Sequence, residues 1–206
     1  MNKFRKLTKS IEIGSASSID GDQSAFQLLV ISLKEDTTTL SRQFVRNTVA
    51  GSIFVPRALR WILLNLSGLV IETPKIREDC KFNNSFVTIG KQTSINRACY
   101  FEGSGTISIG ERSNIGPGCY FLTSTHKRQL GIGLDHPFSE PIVVGDRVWI
   151  GARSTILPGT VIGDDCVVGA GSVVKGKLEP GKAYGGVPAV ELKSKSASSK
   201  FQTKKN

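Results

Sequence analysis

The fold is decided by one stretch of the chain, Val144–Val174, which reads VGDRVWIGARSTILPGTVIGDDCVVGAGSVV. Every sixth residue in it is a branched aliphatic: Val144, Ile150, Ile156, Ile162, Val168 and Val174. Glycine follows four of these six, and a small or β-branched residue stands four positions after all but the last. Helices repeat about every 3.6 residues and strands every 2, so neither explains a period of six. A fixed short period indicates one structural unit stacked on itself.

The repeating unit is predicted to be a short strand followed by a corner, as in a parallel β-helix. We expect the aliphatic and the small residue to point inward, and the glycine to supply the positive φ of the corner. Asn83 and Asn96 replace that glycine in earlier repeats, and asparagine tolerates the left-handed region. Less regular repeats extend the pattern upstream, with inward positions predicted at Ile76, Phe82, Ile89, Ile95, Phe101, Ile109, Ile115 and Phe121. The predicted fold class is all-β.

The four cysteines all fall at the small inward position of a repeat: Cys80, Cys99, Cys119 and Cys166. Cysteine acts there as a compact apolar residue. The cysteines form neither a CxxC pair nor a metal-like cluster. We therefore predict reduced, structural thiols, no metal site and a cytoplasmic protein.

Most of the net charge of +10 comes from basic residues at the two ends of the chain. Residues 1–10 carry four basic side chains and residues 193–206 carry five, with no acidic residue in either segment. The remainder is almost neutral, so nucleic-acid binding is not indicated. Basic tails are either simply solvated or bound to an anionic surface, so weak membrane-surface association stays open.

The segment before the repeats is predicted to contain a short capping helix. Ile11–Asp22 stands where a secretory signal needs an apolar core, so no signal peptide is predicted. Between Pro56 and Gly68, helical spacing joins Ala58, Leu59, Ile62, Leu63 and Leu66, while Arg57, Arg60 and Asn65 mark a polar side. The helix either covers the open first coil or lies at a membrane interface. The expected division is an extension with the helix (1–70), the β-helix (71–187) and a basic tail (188–206).

The repeat fails between residues 122 and 142, and this protruding loop contains both histidines of the chain, His126 and His136. A loop of that length inside a compact repeat is usually functional. Histidine suits general-base catalysis near neutral pH, although an exposed loop histidine without a role is the alternative. Nucleophile-elbow, Walker and dinucleotide-binding motifs do not occur in the sequence.

Several stretches together resemble the hexapeptide-repeat acetyltransferases, most closely the branch with galactoside, maltose and polysaccharide O-acetyltransferases. These stretches are Thr125-His126, Ile142–Ala152, Ile156–Thr160, Gly169–Val174 and Gly186–Ala189, within a similarity covering about residues 56–193. The resemblance implies a left-handed parallel β-helix that forms a homotrimer and uses acetyl-CoA at sites between subunits. It also implies transfer to a sugar hydroxyl of a cell-surface polysaccharide or its precursor, in the cytoplasm or at the inner membrane face.

The resemblance also implies roles for individual residues. His126 matches the catalytic base, which takes the proton from the acceptor hydroxyl. Its orienting partner is Asp135, Glu140 or a backbone carbonyl, and the sequence does not choose among them. Asn96 and Trp149 match substrate-binding positions of the family. Its donor-binding positions are matched by Ala152, Ala170, Lys175 and Lys193.

The sequence departs from the family pattern at Val190, where the family usually has a basic residue. This puts part of the phosphate contact in question, with Lys182 or Lys193 as replacements. Two other functions within reach of the fold are a small-molecule acetyltransferase for sugars or antibiotics and a non-catalytic scaffold. A γ-type carbonic anhydrase needs three histidines per site, and this chain has two histidines.

Overall fold

The computed structural model of the chain describes residues 37–83, 85–129 and 133–192. The chain divides into two compact units, Met1–Leu40 and Ser41–Asn206, and nearly all of the described residues belong to the second. The basic segments 1–10 and 193–206, with Lys193, lie outside the described residues.

Helical structure is confined to the beginning of the described chain. Residues 37–44 are helical, a π-helix follows at Val45–Val49, and the α-helix α1 spans Arg57–Leu66. Gly68 lies just beyond α1 with φ of +98°, as expected of a glycine after a helix end.

Within the described residues, no helix has the length and apolarity needed to cross a membrane.

The rest of the second unit is a series of short strands. In chain order they are β1 (Val70–Ile71), β2 (Lys81–Phe82), β3 (Val87–Ile89), β4 (Ser94–Ile95), β5 (Tyr100–Phe101), β6 (Ile107–Ile109), β7 (Asn114–Ile115), β8 (Tyr120–Phe121), β9 (Ser124–Gln129), β10 (Gly133–Ser139), β11 (Ile142–Val144), β12 (Trp149–Ile150), β13 (Thr155–Ile156), β14 (Val161–Ile162), β15 (Val167–Val168), β16 (Val173–Val174), β17 (Lys177–Leu178), β18 (Ala183–Gly186) and β19 (Ala189–Glu191).

Apart from β9 and β10, these strands form three sheets. Sheet A has the order β1-β3-β6-β11-β14-β17, sheet B the order β19-β18-β15-β12-β7-β4, and sheet C the order β16-β13-β8-β5-β2. The pairing is parallel throughout, except between β18 and β19. Since successive strands visit the three sheets in turn, the chain winds as a three-sided solenoid. The predicted parallel β-helix is confirmed.

The six-residue period reflects one strand and one corner, so three repeats complete one coil. Ile150 therefore pairs with Ile115 of the preceding coil and Val168 of the following coil. All the inward positions predicted from the sequence are buried. On the inner side of sheet C, the rings of Phe82, Phe101 and Phe121 stack with centroids 4.6 and 4.9 Å apart.

The small inward residues form hydrogen bonds from coil to coil at the corners. The thiols of Cys80, Cys99 and Cys119 contact the carbonyl oxygens of Asn96, Gly116 and Gly151 at 3.1, 3.2 and 3.2 Å. Ser154 continues the column by donating to the Gly169 carbonyl at 3.1 Å. All four cysteines are free and buried, which confirms their predicted inward position.

The predicted role of the glycine after each aliphatic was wrong. Positive φ occurs two positions later, for example at Arg147, Arg153 and Asp165, with φ between 56° and 58°. Close stacking instead requires the glycine at Gly145, Gly151 and Gly163; a Cβ on Gly151, for example, would lie 2.5 Å from the Ala170 nitrogen of the next coil. At Gly169, the nearest atom to an added Cβ would be 3.5 Å away. Asn83 and Asn96, expected to use the left-handed region, are likewise not among the positive-φ residues.

The predicted orientation of α1 was also wrong. Arg60, expected on the polar side, is 3% exposed, and its guanidinium donates to the carbonyls of Ala50, Ser52, Val55 and Ile76. Ile76 belongs to the first coil, whereas Ala50, Ser52 and Val55 belong to the segment before α1, so the five donors of the buried arginine join that segment to the solenoid. Leu64 packs inward beside Arg60. The helix thus packs on the first coil mainly through Arg60 and Leu64. Of the predicted apolar side, Leu63 packs against the core, whereas Leu59, Ile62 and Leu66 are exposed.

We expect Phe101→Ala to destabilise the solenoid strongly, because its fully buried ring is sandwiched between two others. The free energy of unfolding should fall by about 3–5 kcal/mol, measured by urea denaturation. Phe86→Ala is the matched control, since Phe86 is 60% exposed and its loss should change stability by about 0.5 kcal/mol or less. Equal effects of the two variants would contradict the stacked core.

The four thiols should be unreactive in the folded protein. Burial raises the pKa of Cys166, and a hydrogen bond with the Cys99 side chain, together with burial, raises the pKa of Cys119. Since only the thiolate reacts, a chromogenic disulfide reagent at mildly alkaline pH should detect thiols only after denaturation. Rapid reaction of any cysteine in the native protein would contradict the burial of these thiols.

Candidate active site

The interruption of the repeat is an antiparallel β-hairpin made of β9 and β10. It leaves the solenoid after β8 of sheet C and returns at β11 of sheet A, so it replaces one corner. In the hairpin, His126 is opposite Pro137 and Thr125 is opposite Phe138. The register shifts between Leu134 and Pro137, next to His126. In its described residues, the protruding segment predicted between residues 122 and 142 is therefore a two-stranded antiparallel ribbon with one irregularity.

A carboxylate from the preceding coil anchors the base of the hairpin. Glu102 accepts hydrogen bonds from the backbone amides of Thr123 and Ser124 at 2.8 and 3.0 Å, and from the Ser124 hydroxyl. Burial alone would raise the pKa of Glu102, but the bonds from Ser124 and Thr123 outweigh it and hold that pKa below its usual range. Glu102 is thus an anionic clamp on the hairpin.

Sequence reasoning did not identify Glu102, although a signal was present. The residue stands directly before the second irregularity of the repeat, the two-residue slip between residues 103 and 108. The structure explains the coincidence, since Gly105 in that slip donates to the Thr123 hydroxyl at 3.0 Å. The slip and the hairpin are therefore two parts of one local arrangement.

A cavity of about 260 Å³ lies between the hairpin and the edge of sheet C. The hairpin and its flanks contribute one wall and the later coils the other; the lining residues are Leu122, Ser124, Thr125, His126, Phe138, Glu140, Leu157, Pro158 and Lys175. The structure thus brings together His126, Lys175 and one of the possible orienting residues, Glu140. The side chains of Asp135 and His136 lie outside the described ones.

The remaining predicted site residues lie on another side of the solenoid. Trp149 projects from sheet B, 58% exposed, between Asn114 and Val167 of the neighbouring coils. Asn96 directly follows β4 of the same sheet. The cavity occupies the corner between sheets C and A, and sheet B is the third face of the solenoid. One chain therefore does not bring Trp149 and Asn96 to His126.

Ala152 and Ala170 are stacked at the corner between sheets B and C. The Ala152 carbonyl accepts a hydrogen bond from the Gly171 amide at 2.8 Å, so these corners pack closely. Ala170 is exposed at this corner and Ala152 is half-buried. Lys193, predicted to contact the donor with these residues, lies outside the described part of the chain.

Metal chemistry was not expected from the sequence. Among the residues that the structure describes, no group of three or more His, Cys, Asp or Glu side chains is placed to hold a metal ion.

Comparison with known proteins gives the following matches. Residues 141–176 match the family model described as bacterial transferase hexapeptide (six repeats). The chain is 44% identical over 100 residues to a Staphylococcus aureus (strain COL) protein provisionally named an acetyltransferase, covering 46% of this chain and 48% of that one. It is 49% identical over 55 residues to an Escherichia coli (strain K12) protein provisionally named a lipopolysaccharide biosynthesis O-acetyl transferase, covering 27% and 28%. The chain thus spans less than half of the length of these relatives.

A solved structure matches over more of the chain. It is a hexapeptide-repeat acetyltransferase from Vibrio cholerae O1 biovar eltor, complexed with acetyl coenzyme A. The TM-score is 0.60 and the identity 30%, over 76% of this chain and 84% of that one.

We expect Glu102→Gln to loosen the base of the hairpin, because an amide cannot accept all the bonds that the carboxylate accepts. Hydrogen exchange at the Thr123 and Ser124 amides should become about tenfold faster. Glu179→Gln is the control, since Glu179 is exposed and pairs with Lys177 at 3.2 Å. Unchanged exchange in Glu102→Gln would contradict the clamp.

The same clamp should open in acid. The folded pKa of Glu102 lies below its ordinary value. Its contribution to stability is therefore complete above the unfolded pKa of about 4.3 and is lost as the pH falls through the lower folded pKa. Exchange at Thr123 and Ser124, corrected for the intrinsic pH dependence, should accelerate in that range in the wild type but not in Glu102→Gln.

Proposed function

Because the chain belongs to the hexapeptide-repeat acetyltransferases, we propose that it transfers the acetyl group of acetyl-CoA to a hydroxyl group of a carbohydrate. The observation that carries this proposal is the cavity in which an exposed histidine, His126, faces the edge of a regular solenoid. Acetyl coenzyme A is bound in the structure of the Vibrio cholerae relative.

His126 is proposed as the general base. Its imidazole takes the proton of the acceptor hydroxyl while the oxygen attacks the thioester carbonyl of acetyl-CoA. The carbon–sulfur bond then breaks, and the leaving thiolate receives the proton from the imidazolium. A positioned base of this kind typically contributes ~10²–10⁴-fold to the rate. Backbone N–H groups near the cavity are the proposed donors to the developing oxyanion.

Glu140 is the proposed positioning residue for His126. Both side chains line the cavity, and the Glu140 amide donates to the Thr123 carbonyl at 2.9 Å, which fixes Glu140 at the base of the hairpin. A carboxylate next to a histidine fixes the ring orientation and stabilises the imidazolium that forms during proton transfer. Asp135 is the alternative, with its side chain outside the described ones.

The site is proposed to be completed by a neighbouring subunit of a homotrimer. The cavity volume of about 260 Å³ lies just below the range of 300–1,000 Å³ usual for ligand sites, which suggests a partial site. Trp149 and Asn96 lie on the face of the solenoid across from the cavity. A neighbour that presents its sheet B to this cavity would supply both residues to His126, and would place acceptor and donor between two solenoids.

The donor is proposed to lie along the stacked corners. Ala152 and Ala170 leave backbone groups accessible to the pantetheine arm, and Lys175 reaches the cavity from the edge of sheet C. Lys193 remains a proposed contact to the phosphates. On the acceptor side, the Escherichia coli relative's name supports a cell-surface polysaccharide or its precursor. This assignment of the acceptor also accords with a protein acting at the inner membrane face.

We expect His126→Ala to lower acceptor-dependent thiol release from acetyl-CoA by ~10²–10⁴-fold, because the hydroxyl loses its base. His136→Ala is the matched control, since His136 is the other histidine of the same hairpin and should retain most activity. The oligomer mass, measured by light scattering, should be the same in both variants. Wild-type turnover in His126→Ala would overturn the proposed base.

An acceptor screen read by mass spectrometry identifies the substrate class. The panel should contain free sugars, nucleotide sugars, repeat-unit oligosaccharides and aminoglycoside antibiotics. A mass increase of one acetyl group on oligosaccharides or sugar precursors supports the proposal, while acetylation of the antibiotics alone would replace it with a detoxifying activity. If the protein neither hydrolyses acetyl-CoA nor transfers its acetyl group to any member of the panel, a scaffold role is favoured.

A further inference from the structure

The carboxylate of Glu140 occupies the space that a side chain at position 159 would fill. Glu140 directly follows β10 and lines the candidate active-site cavity, and Gly159 follows Pro158, which lines the opposite wall. A Cβ added to Gly159 would lie 2.8 Å from the Oε2 atom of Glu140 and 3.3 Å from its Cδ atom. The carboxylate and a side chain at residue 159 therefore exclude each other.

The backbone conformation of Gly159 does not by itself require glycine. Its φ of +74° favours glycine, but Ala98 and Arg153 have φ of 58° and 57° at other corners of this solenoid. Gly181 has nearly the same φ, +72°, and an added Cβ there would meet no atom within 4 Å. The crowding at Gly159 thus comes from Glu140 and not from the conformation of the corner.

The main chain of Glu140 is held in place independently of Gly159. Its amide donates to the Thr123 carbonyl at 2.9 Å. A Cβ on Gly105 would lie 3.2 Å from the Glu140 carbonyl oxygen, so the slip in the preceding coil packs closely against the Glu140 backbone. A small side chain at residue 159 would therefore displace the carboxylate by rotating the Glu140 side chain to another rotamer, and would leave the base of the hairpin in place.

We propose that Gly159 is a positioning residue for the candidate active site. The missing side chain lets the Glu140 carboxylate stand in the cavity with His126. This inference rests on the proposed function, in which that carboxylate orients the imidazole. A methyl group at residue 159 would shift the carboxylate, and the base would then meet the acceptor hydroxyl in a poorer orientation. A misplacement of about 1 Å in such a site can cost ~10²-fold in rate.

The test combines Gly159→Ala, Glu140→Ala and the double variant in the full chain. Turnover is measured as thiol release from acetyl-CoA with the mixed sugars and oligosaccharides of the acceptor screen. We expect Gly159→Ala and Glu140→Ala each to lower kcat by ~10–10²-fold, with the KM for acetyl-CoA unchanged. The double variant should lose no more than Glu140→Ala alone, because the new methyl group then has no carboxylate to displace.

Gly181→Ala is the matched control. It introduces the same methyl group at nearly the same φ but next to open space, so it should keep the wild-type kcat. Ala98 demonstrates that this solenoid accommodates alanine at positive φ, and circular dichroism checks that both alanine variants are folded.

A crystal structure of Gly159→Ala provides a readout that needs neither donor nor acceptor. It should show the carboxylate of Glu140 moved out to van der Waals distance from the new methyl group. The hydrogen bond between the Glu140 amide and the Thr123 carbonyl should be kept.

Three outcomes would overturn the inference. They are an unmoved carboxylate in the Gly159→Ala structure, a wild-type kcat in Gly159→Ala, and a further loss of turnover when Gly159→Ala is added to Glu140→Ala. A failure of the proposed function is a different result, namely no turnover by the wild-type protein with any acceptor. In that case the crystal structure still decides whether residue 159 sets the position of the carboxylate.

Discussion

Close stacking of successive coils is the constraint on which the rest of this structure depends. Parallel strands lie about 4.8 Å apart, so every corner must pass within contact distance of the next. Gly151 has no room for a Cβ above Ala170, and small inward side chains such as Cys119 and Ser154 reach the carbonyls of the following coil. Buried carbonyls need such partners. Each coil therefore has nearly the same backbone shape as the coils next to it.

Because the coils are so similar, chemically distinct groups occur where the repeat is interrupted. The hairpin replaces a single corner, and the preceding coil is adjusted to it through Glu102 and the slip near Gly105. At the start of the solenoid, Arg60 joins α1 and the segment before it to the first coil by donating to the carbonyls of Ala50 and Ile76. The candidate active site thus arises at an interruption of the repeat.

The fold was predictable from the sequence because stacking imposes its period on the residues. The physical role of each residue in the pattern was harder to predict. Glycine is needed at Gly151 because any side chain would clash with the next coil. A rule based on the local φ angle cannot predict that clash. Arg60 was placed on the wrong side of α1 because helical periodicity cannot reveal which carbonyls lie beneath a helix.

The candidate site was predictable only in part. His126 was identifiable because it stands in the break of the repeat, and the structure places it in a cavity with Lys175. Trp149 and Asn96 were grouped with it through the family resemblance, and within one chain they stay on another face. Glu102 was missed because a single carboxylate in an irregular repeat resembles any surface residue.

The attachment of the hairpin has a consequence for how such proteins diversify. Its two ends meet where the Glu140 amide bonds to the Thr123 carbonyl, and Ile142 then pairs with Ile107 as though the corner were uninterrupted. An insertion whose ends are adjacent adds no strain to the coils on either side. The outer part of the hairpin can therefore be lengthened, shortened or replaced while the coils are kept, together with Glu102 and the slip near Gly105 that hold its base. Laboratory grafting of hairpins between relatives should be directed to these two junctions.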